Sequence, residues 1–426
     1  MLWAALASLS GLLAACGGST LSNSSKGPLT IGGVIAITGS VDFEGGNLFQ
    51  GVYPAVHEID KAGGVLGHKL VLKGVDTKGD PADALPAVQQ MLATTNNLVA
   101  VTGIGTSTAP TLVPVLNRAK IPMAVVAGES TYDHSNFKYL WRLFPPDSAN
   151  GTAMALWAKR KGYTRVADVF GSDPGSQGDL PGVAQSLKAL KIPVVANITL
   201  TPDQSSYQSQ VNQLIAARPQ VIMTESDSGT AGTFFGELKS LGGLVPIVGT
   251  QATDTPPWIT AVQSALGQTS FQKYFTGVIS APSKVTPAVT EFNHMVKADV
   301  SQLGVSAKAA QNNPFAVVYY DGTIALALSM VAAHSTKPSV YNRYMSKVCN
   351  PGSGKKVVYT FAQGVKALKQ GKQIQYIGAT GLIDFNKYHN SFGDQEAVSL
   401  TASGSSKLLG AITVKAIEEV PVKGVA

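Results

Sequence analysis

At 426 residues the chain can hold more than one core, yet only 14% of it is charged, against about 25% in an ordinary globular domain. An apolar share of 44% excludes a disordered chain, and no uninterrupted apolar run reaches the roughly 18 residues of a membrane span, which excludes a multi-span protein. The 33 Lys and Arg exceed the 26 Asp and Glu by 7, a charge too dilute, if evenly spread, for a nucleic-acid surface.

Taken in chain order, residues 1–15 carry no charge and are mostly Leu, Ala and Trp, ending in Leu13-Ala14-Ala15-Cys16 before Gly-Gly-Ser-Thr. This resembles a bacterial lipoprotein signal with its lipobox, which implies removal of 1–15 and lipid attachment at the Cys16 thiol. One departure is that no Lys or Arg precedes Cys16. The only other cysteine is Cys349, so no internal disulfide is expected once Cys16 carries lipid. Residues 16–28 are Ser- and Gly-rich and read as a flexible tether reaching about 20 Å.

From residue 29, β-branched runs at 29–38, 69–76, 98–103 and 122–126 alternate with helical patterns, which predicts a parallel sheet covered on both faces. Between the first two runs, Leu48, Val52, Val56 and Ile59 recur at helical spacing, Gly63-Gly64 ends the helix, and Pro54 predicts a kink or a later start. The alternation resumes after Pro145-Pro146 with runs at 166–170, 194–200, 221–224 and 246–248, a second lobe of the same plan. Residues 315–333 read as a buried helix, and strand-like patterning returns at 381–386 and 409–414.

Open parallel sheets bind ligands beyond the carboxyl ends of their strands, beside the N–H groups of the following helices. Six loops occupy that position, at 38–47, 103–109, 127–134, 171–179, 224–230 and 249–256. Together they hold nine acids and no Lys or Arg, a bias that turn chemistry alone does not explain.

Enzyme signatures are incomplete. Gly103-Ile-Gly105 opens like a dinucleotide fingerprint, but Thr108 replaces the third glycine. Gly354-Lys355 is followed by Lys356, so it is not a phosphate loop, and the serines at 107 and 130 lack the closing glycine of a nucleophile elbow. The six histidines form no zinc-binding pair. A hydrolase or dehydrogenase is therefore disfavoured, and no cofactor or metal is expected.

The stretch from Ile31 to Gly39, then Gly45, Gly51, Ile59-Asp60, the 62–67 segment and Asp76 followed by Gly79-Asp80-Pro81 resemble the N-terminal signature of type I periplasmic substrate-binding proteins. Gly103 to Ser107, Ile121-Pro122, Arg142 and the 378–386 segment extend the likeness, which is nearest to the leucine/isoleucine/valine-binding branch of ABC importers. The resemblance implies an α/β fold of two Rossmann-like lobes with parallel-sheet cores, joined by a three-crossover hinge. Lobe 1 would comprise 29–146 plus 282–379, and lobe 2 would comprise 147–281 plus 380–426. It also implies a small-molecule ligand, ABC permease subunits as partners, no nucleic acid, and an extracytoplasmic location, lipid-anchored to the cell membrane through Cys16. A ligand-sensing receptor domain of the same fold is the alternative.

Carried over by position, Ser107 with its neighbour Thr108, and Ser130, match hydroxyls that hold a ligand carboxylate, while Gly128 matches a main-chain contact. Glu44 and Gln177 stand where aromatics are usual, Asp227 lies in a segment that often supplies another, and Gln251 replaces the usual ammonium-binding acid. Asp254 or Glu129 would then take that acid's role. The expected ligand is a polar amino acid or another amine, with a benzoate-like acid as the second reading. Finally, residues 337–372 carry eight bases and no acid, so the +7 is concentrated there. Solvated helix faces or a docking patch for permease or anionic lipid both fit that run.

Overall fold

The computed structural model describes residues 26–38, 43–281, 285–400 and 406–422. The leader and Cys16 lie outside these residues. Strand β1 (Lys26–Ile35) begins inside the expected tether. It joins β2 (His68–Asp76), β3 (Leu98–Gly103), β4 (Met123–Val125) and β5 (Leu140–Arg142) in the order β2-β1-β3-β4-β5. Every pairing in this sheet is parallel. All six residues of β3 are buried, as expected when helices cover both faces.

The second sheet holds β6 (Val166–Gly171), β7 (Val194–Leu200), β8 (Val221–Glu225), β9 (Ile247–Gly249) and β10 (Phe275–Ser280). A small third sheet, β11 (Lys356–Val358), β12 (Ile374–Gly378) and β13 (Gly381–Leu382), packs on the first lobe. The chain then returns as β14 (Gln395–Leu400) and β15 (Ser406–Ile412), the antiparallel edge of the second sheet in the order β15-β14-β10-β9-β8-β6-β7.

The first helix, Phe43–Lys61, runs through Pro54 without a break. It packs closely on Pro314–Ala332 because Gly51 has no side chain: a Cβ there would meet the Ala316 carbonyl oxygen at 2.1 Å. Helix Pro314–Ala332 is long and apolar enough to cross a membrane, but 83% of its apolar window is buried in the lobe, so it is the core helix. Its length corrects the expectation that no segment reaches spanning size.

The chain crosses between lobes after β5 and after β10. The third crossing falls between Ser391 and β14 instead of near 379–382, because Ile383 and Phe385 remain in the first core and Ser391 N–H donates to the Arg142 carbonyl at 2.9 Å. The first lobe therefore extends about ten residues beyond the expected boundary. The segment lacks a hydrophobic period long enough to reveal its allegiance.

Candidate functional site

The carboxyl ends of both sheets face one another across the crossovers. On the first lobe, the chain leaving β3 adopts positive φ at Gly103 (100°) and at Ile104 (57°), a costly conformation for a β-branched residue. The Ile104 N–H donates to the Val34 carbonyl at 2.6 Å, which holds this turn beside β1. Ser107 follows it, half-buried, with a hydroxyl that makes no hydrogen bond among the described residues. Buried Thr108 is turned inward, its hydroxyl donating to the Gly105 carbonyl at 3.3 Å. Ser130 is exposed at the start of the turn Ser130–Tyr132. Glu44 falls in the first turn of helix Phe43–Lys61, and its side chain is outside the described residues.

Arg142, the last residue of β5, is fully buried and spends its guanidinium on the first lobe. Its Nη1 donates to Asp133 at 2.8 Å and to Asn390 at 3.2 Å, Nη2 donates to the Gly128 carbonyl at 2.6 Å, and Nε to the Ala127 carbonyl at 2.9 Å. The Gly128 carbonyl also accepts from Asp147 N–H at 2.9 Å. The Gly128 carbonyl is thus engaged in fixing the crossover.

Asp147 opens the helix Asp147–Arg160 just beyond that crossover. Its carboxylate fills the space that side chains would take at two glycines: a Cβ on Gly128 would lie 1.7 Å from Asp147 Oδ1, and one on Gly178 would lie 2.1 Å from Oδ2. Gly128 belongs to the first lobe and Gly178 to the second, so one carboxylate bridges both. Asp179 and Glu225, 5% and 8% exposed, are hydrogen-bonded to each other beside it, and Glu225 also accepts from the Thr250 hydroxyl. Burial, followed by mutual repulsion, raises the pKa of Asp147 and Asp179. Burial raises Glu225 as well. Across from them, neither carboxylate oxygen of Glu129 has a hydrogen-bond partner among the described residues, and burial lifts this group to about 7.

Four carboxyl groups thus converge where the nearest base, Arg142, is already committed. Buried carboxylates require protons or a cation. The arrangement can neutralise itself with protons, or exchange them for a positively charged group held between the lobes.

Of these four, only Glu129 was among the residues expected at the site. Asp179 and Glu225 were visible only as members of the acid-rich loops, and Asp147 lay outside the loops counted. Two of the expected residues make contacts within the fold. Asp227 is exposed and caps the helix Ser228–Ser240, accepting from Thr230 N–H at 2.9 Å. Gln251 is buried and structural: its Oε1 accepts from Ser280 N–H at 2.5 Å, and its own N–H donates to Asn150 at 3.1 Å. Gln177 likewise bonds back, Nε2 to the Gly171 carbonyl at 2.5 Å. Asp254 is half-buried and raised to about 7 by burial, with no side-chain hydrogen bond, but it stands apart from the four acids that act on one another. Among the described residues no group of three or more His, Cys, Asp or Glu is arranged to hold a metal ion.

A different buried acid reports on pH. Asp168 in β6 is 1% exposed, faces the apolar layer of Val166 and Phe170, and is raised by burial to about 7. A carboxyl group whose folded pKa lies above its unfolded value stabilises the fold least when ionised, so stability falls as pH rises from about 4 to about 7. Asp168→Asn is expected to stabilise the protein by about 2 kcal/mol at pH 8 and by nothing measurable at pH 4. Urea unfolding at both pH values checks this; equal effects at the two would refute it.

Comparison with known proteins agrees with this architecture. The periplasmic binding protein family profile matches residues 28–339. Among curated relatives, "Leu/Ile/Val-binding protein homolog 3" of Brucella melitensis is 26% identical over 301 residues, spanning 68% of this chain and 76% of that protein. "Leu/Ile/Val-binding protein BraC3" of Rhizobium johnstonii is 24% identical over 265 residues, 60% of this chain and 70% of the relative. The solved leucine-binding protein LivK of Thermotoga maritima superposes with a TM-score of 0.71 at 17% identity, covering 90% of this chain and 99% of that one. A solute-binding protein of R. palustris in complex with benzoate gives 0.70 at 16% identity, covering 91% and 96%. With two α/β lobes facing across three crossovers and a profile match over most of its length, the chain belongs to the periplasmic binding protein family.

Proposed function

We propose that this protein is the extracytoplasmic solute-binding component of an ABC importer, that it closes over a small amine-bearing ligand, and that it hands this ligand to a membrane permease while tethered through lipid on Cys16. The observation that carries the ligand class is the unbalanced group Glu129, Asp147, Asp179 and Glu225, with Arg142 already spent on Asp133 and backbone carbonyls. A ligand ammonium supplies the missing positive charge, and closure strengthens each contact by excluding water. Hydroxyls of Ser107 and Ser130 and nearby N–H groups suit the ligand's polar end. An organic acid, as in the benzoate-bound relative, is the second reading. Here it requires the four carboxyl groups to stay protonated.

A thermal-shift panel of amino acids, other amines and small organic acids tests the ligand class. A ligand at about a thousand times its Kd adds about 4 kcal/mol of stability, and the amines are expected to give the shifts. Stabilisation by benzoate or an uncharged solute, with none from any amine, overturns the reading. Mass spectrometry of the membrane-extracted protein tests the anchor, with a diacylglyceryl-modified Cys16 as the expected N-terminal residue.

A further inference from the structure

Because all five strands of the first sheet run parallel, their amino ends lie at one pole of the first lobe, opposite the cleft. Six segments meet at this pole: 61–69, 94–98, 118–123, 136–140, 333–343 and 369–373. The first four are the connections that enter β2 to β5. Segment 333–343 is fixed there because Tyr341 donates its hydroxyl to the carbonyl of Val99, near the start of β3, and Asn342 donates to the Lys138 carbonyl at 2.8 Å. Segment 369–373 is fixed by helix Phe361–Lys369, whose Lys366 and Lys369 share a shallow groove of about 420 Å³ with Ala62 at the end of the first helix.

These six segments contain nine bases and no acid, and all nine bases are exposed. The pole is the charge inverse of the cleft loops. Helix dipoles favour cations in last turns and account for Lys61, Arg118 and Lys369. They do not account for Lys69, Lys120, Lys138 or Lys372, which lie outside helices, nor for Lys337, which stands at an N-cap. Among the described residues none of the nine side chains donates a hydrogen bond to the protein, and only Arg343 stacks on an aromatic ring, that of Tyr344. Asp60, next to Lys61 in sequence, accepts from Leu70 N–H at 2.9 Å and is influenced by the charge of Lys69. The amino ends of the second sheet also carry exposed bases, but three of them are engaged: Arg160 donates to the Ala411 carbonyl, Arg165 to Ala217 and Arg218, and Lys239 to Leu266.

We infer that this pole of the first lobe rests on an anionic lipid bilayer, leaving the cleft turned outward to load ligand. Three observations favour a bilayer over an acidic protein. The bases are spread across an end about 20 Å wide, the reach of five strands, with shallow grooves on either side of helix Phe361–Lys369 and no deep one to receive a protein segment among the described residues. Ligand leaves through the opposite end, so this face is not the hand-over surface. The chain also enters here: Lys26, ten residues after Cys16, donates its ammonium to the Leu66 carbonyl at 3.1 Å within the same pole. The orientation takes its setting from the extracytoplasmic, tethered reading above, but the attraction itself needs no lipid on Cys16. Attraction of this kind acts within a Debye length, about 8 Å at physiological salt.

The test is flotation of the full chain carrying Cys16→Ser with vesicles of phosphatidylcholine containing about 30% phosphatidylglycerol, against phosphatidylcholine alone. Binding is expected only to the anionic vesicles, and is expected to vanish at about 500 mM salt. Combined Lys120→Glu, Lys138→Glu, Lys337→Glu and Lys372→Glu should weaken it at least about tenfold while preserving any ligand-induced thermal shift. Combined Lys188→Glu, Lys191→Glu and Lys273→Glu in the second lobe should leave it unchanged. The inference is overturned if the Cys16→Ser chain ignores anionic vesicles, or if the second-lobe variant loses as much binding. It is also overturned if the first-lobe variant floats normally but no longer binds the solubilised permease, which would reassign the face to a protein partner. A panel with no amine shift would sink the ligand reading without touching the flotation result.

Discussion

Arg142→Ala is expected to lower the unfolding free energy by about 3–5 kcal/mol, the cost of leaving a buried charge without its partner. The guanidinium is fully buried and satisfies Asp133, Asn390 and the carbonyls of Ala127 and Gly128. Removing it strands the buried Asp133 carboxylate, which then keeps the Ser148 hydroxyl at 2.6 Å as its side-chain partner. Burial already pushes the Asp133 pKa upward, and the Arg142 charge is what opposes that push. The loss should therefore be smaller at pH 4, where Asp133 can take a proton, than at pH 8. Arg142→Lys should recover only part, because one ammonium cannot reach the acid and two divergent carbonyls together. Denaturant titration of the three proteins at both pH values measures this; a cost under about 1 kcal/mol would show that Arg142 does not hold the crossover.

Asp147→Asn is expected to weaken binding of the amine ligand about a hundredfold while raising the stability of the unliganded protein. Both effects have one cause. The carboxylate sits among Asp179, Glu225 and Glu129, where its charge is costly until a cation arrives. Replacing it with an amide removes repulsion from the empty protein and attraction from the complex. Because ligand and protons compete for the same groups, affinity for an amine should rise from pH 5 to pH 8 in the wild type. The slope should flatten in Glu225→Gln. Asp227→Ala, which removes only a helix cap, should leave affinity unchanged. Calorimetric titration with the strongest amine from the panel decides this, and equal affinities for wild type and Asp147→Asn would refute it.

The strand pattern that sequence revealed was the part governed by local chemistry. Runs at 98–103 and 194–200 coincide with β3 and β7, and most other parallel strands read from the sequence lie within a residue or three of expectation: β3, buried on both faces, is a continuous apolar run, whereas the edge strand β7 shows itself by alternation. Strands β10, β11 and β12 went unread, as did two others, β5 and β14. The first is three residues long and ends in a buried Arg, and the second begins with Gln395, fully buried yet polar because it bonds Asn150 at 2.8 Å. A residue that owes its burial to a polar partner 245 positions away leaves no hydrophobic period to read.

The site divides in the same way. Sequence alone determined that the loops beyond the strands' carboxyl ends are acidic and free of bases, that Ser107 and Glu129 belong there, and that the positive charge is gathered elsewhere. It did not determine which acids act together. Asp173 and Asp227 are consumed as helix caps and Asp133 by Arg142, while Asp147, Asp179 and Glu225, spread over nearly eighty positions, converge against Gly128 and Gly178. Only the tertiary structure decided this, because composition records what charge a loop carries, whereas pairing and burial depend on what closure brings against it. The basic pole has the same origin: six segments, each with at most two bases, become one surface only when the parallel strands bring their amino ends together.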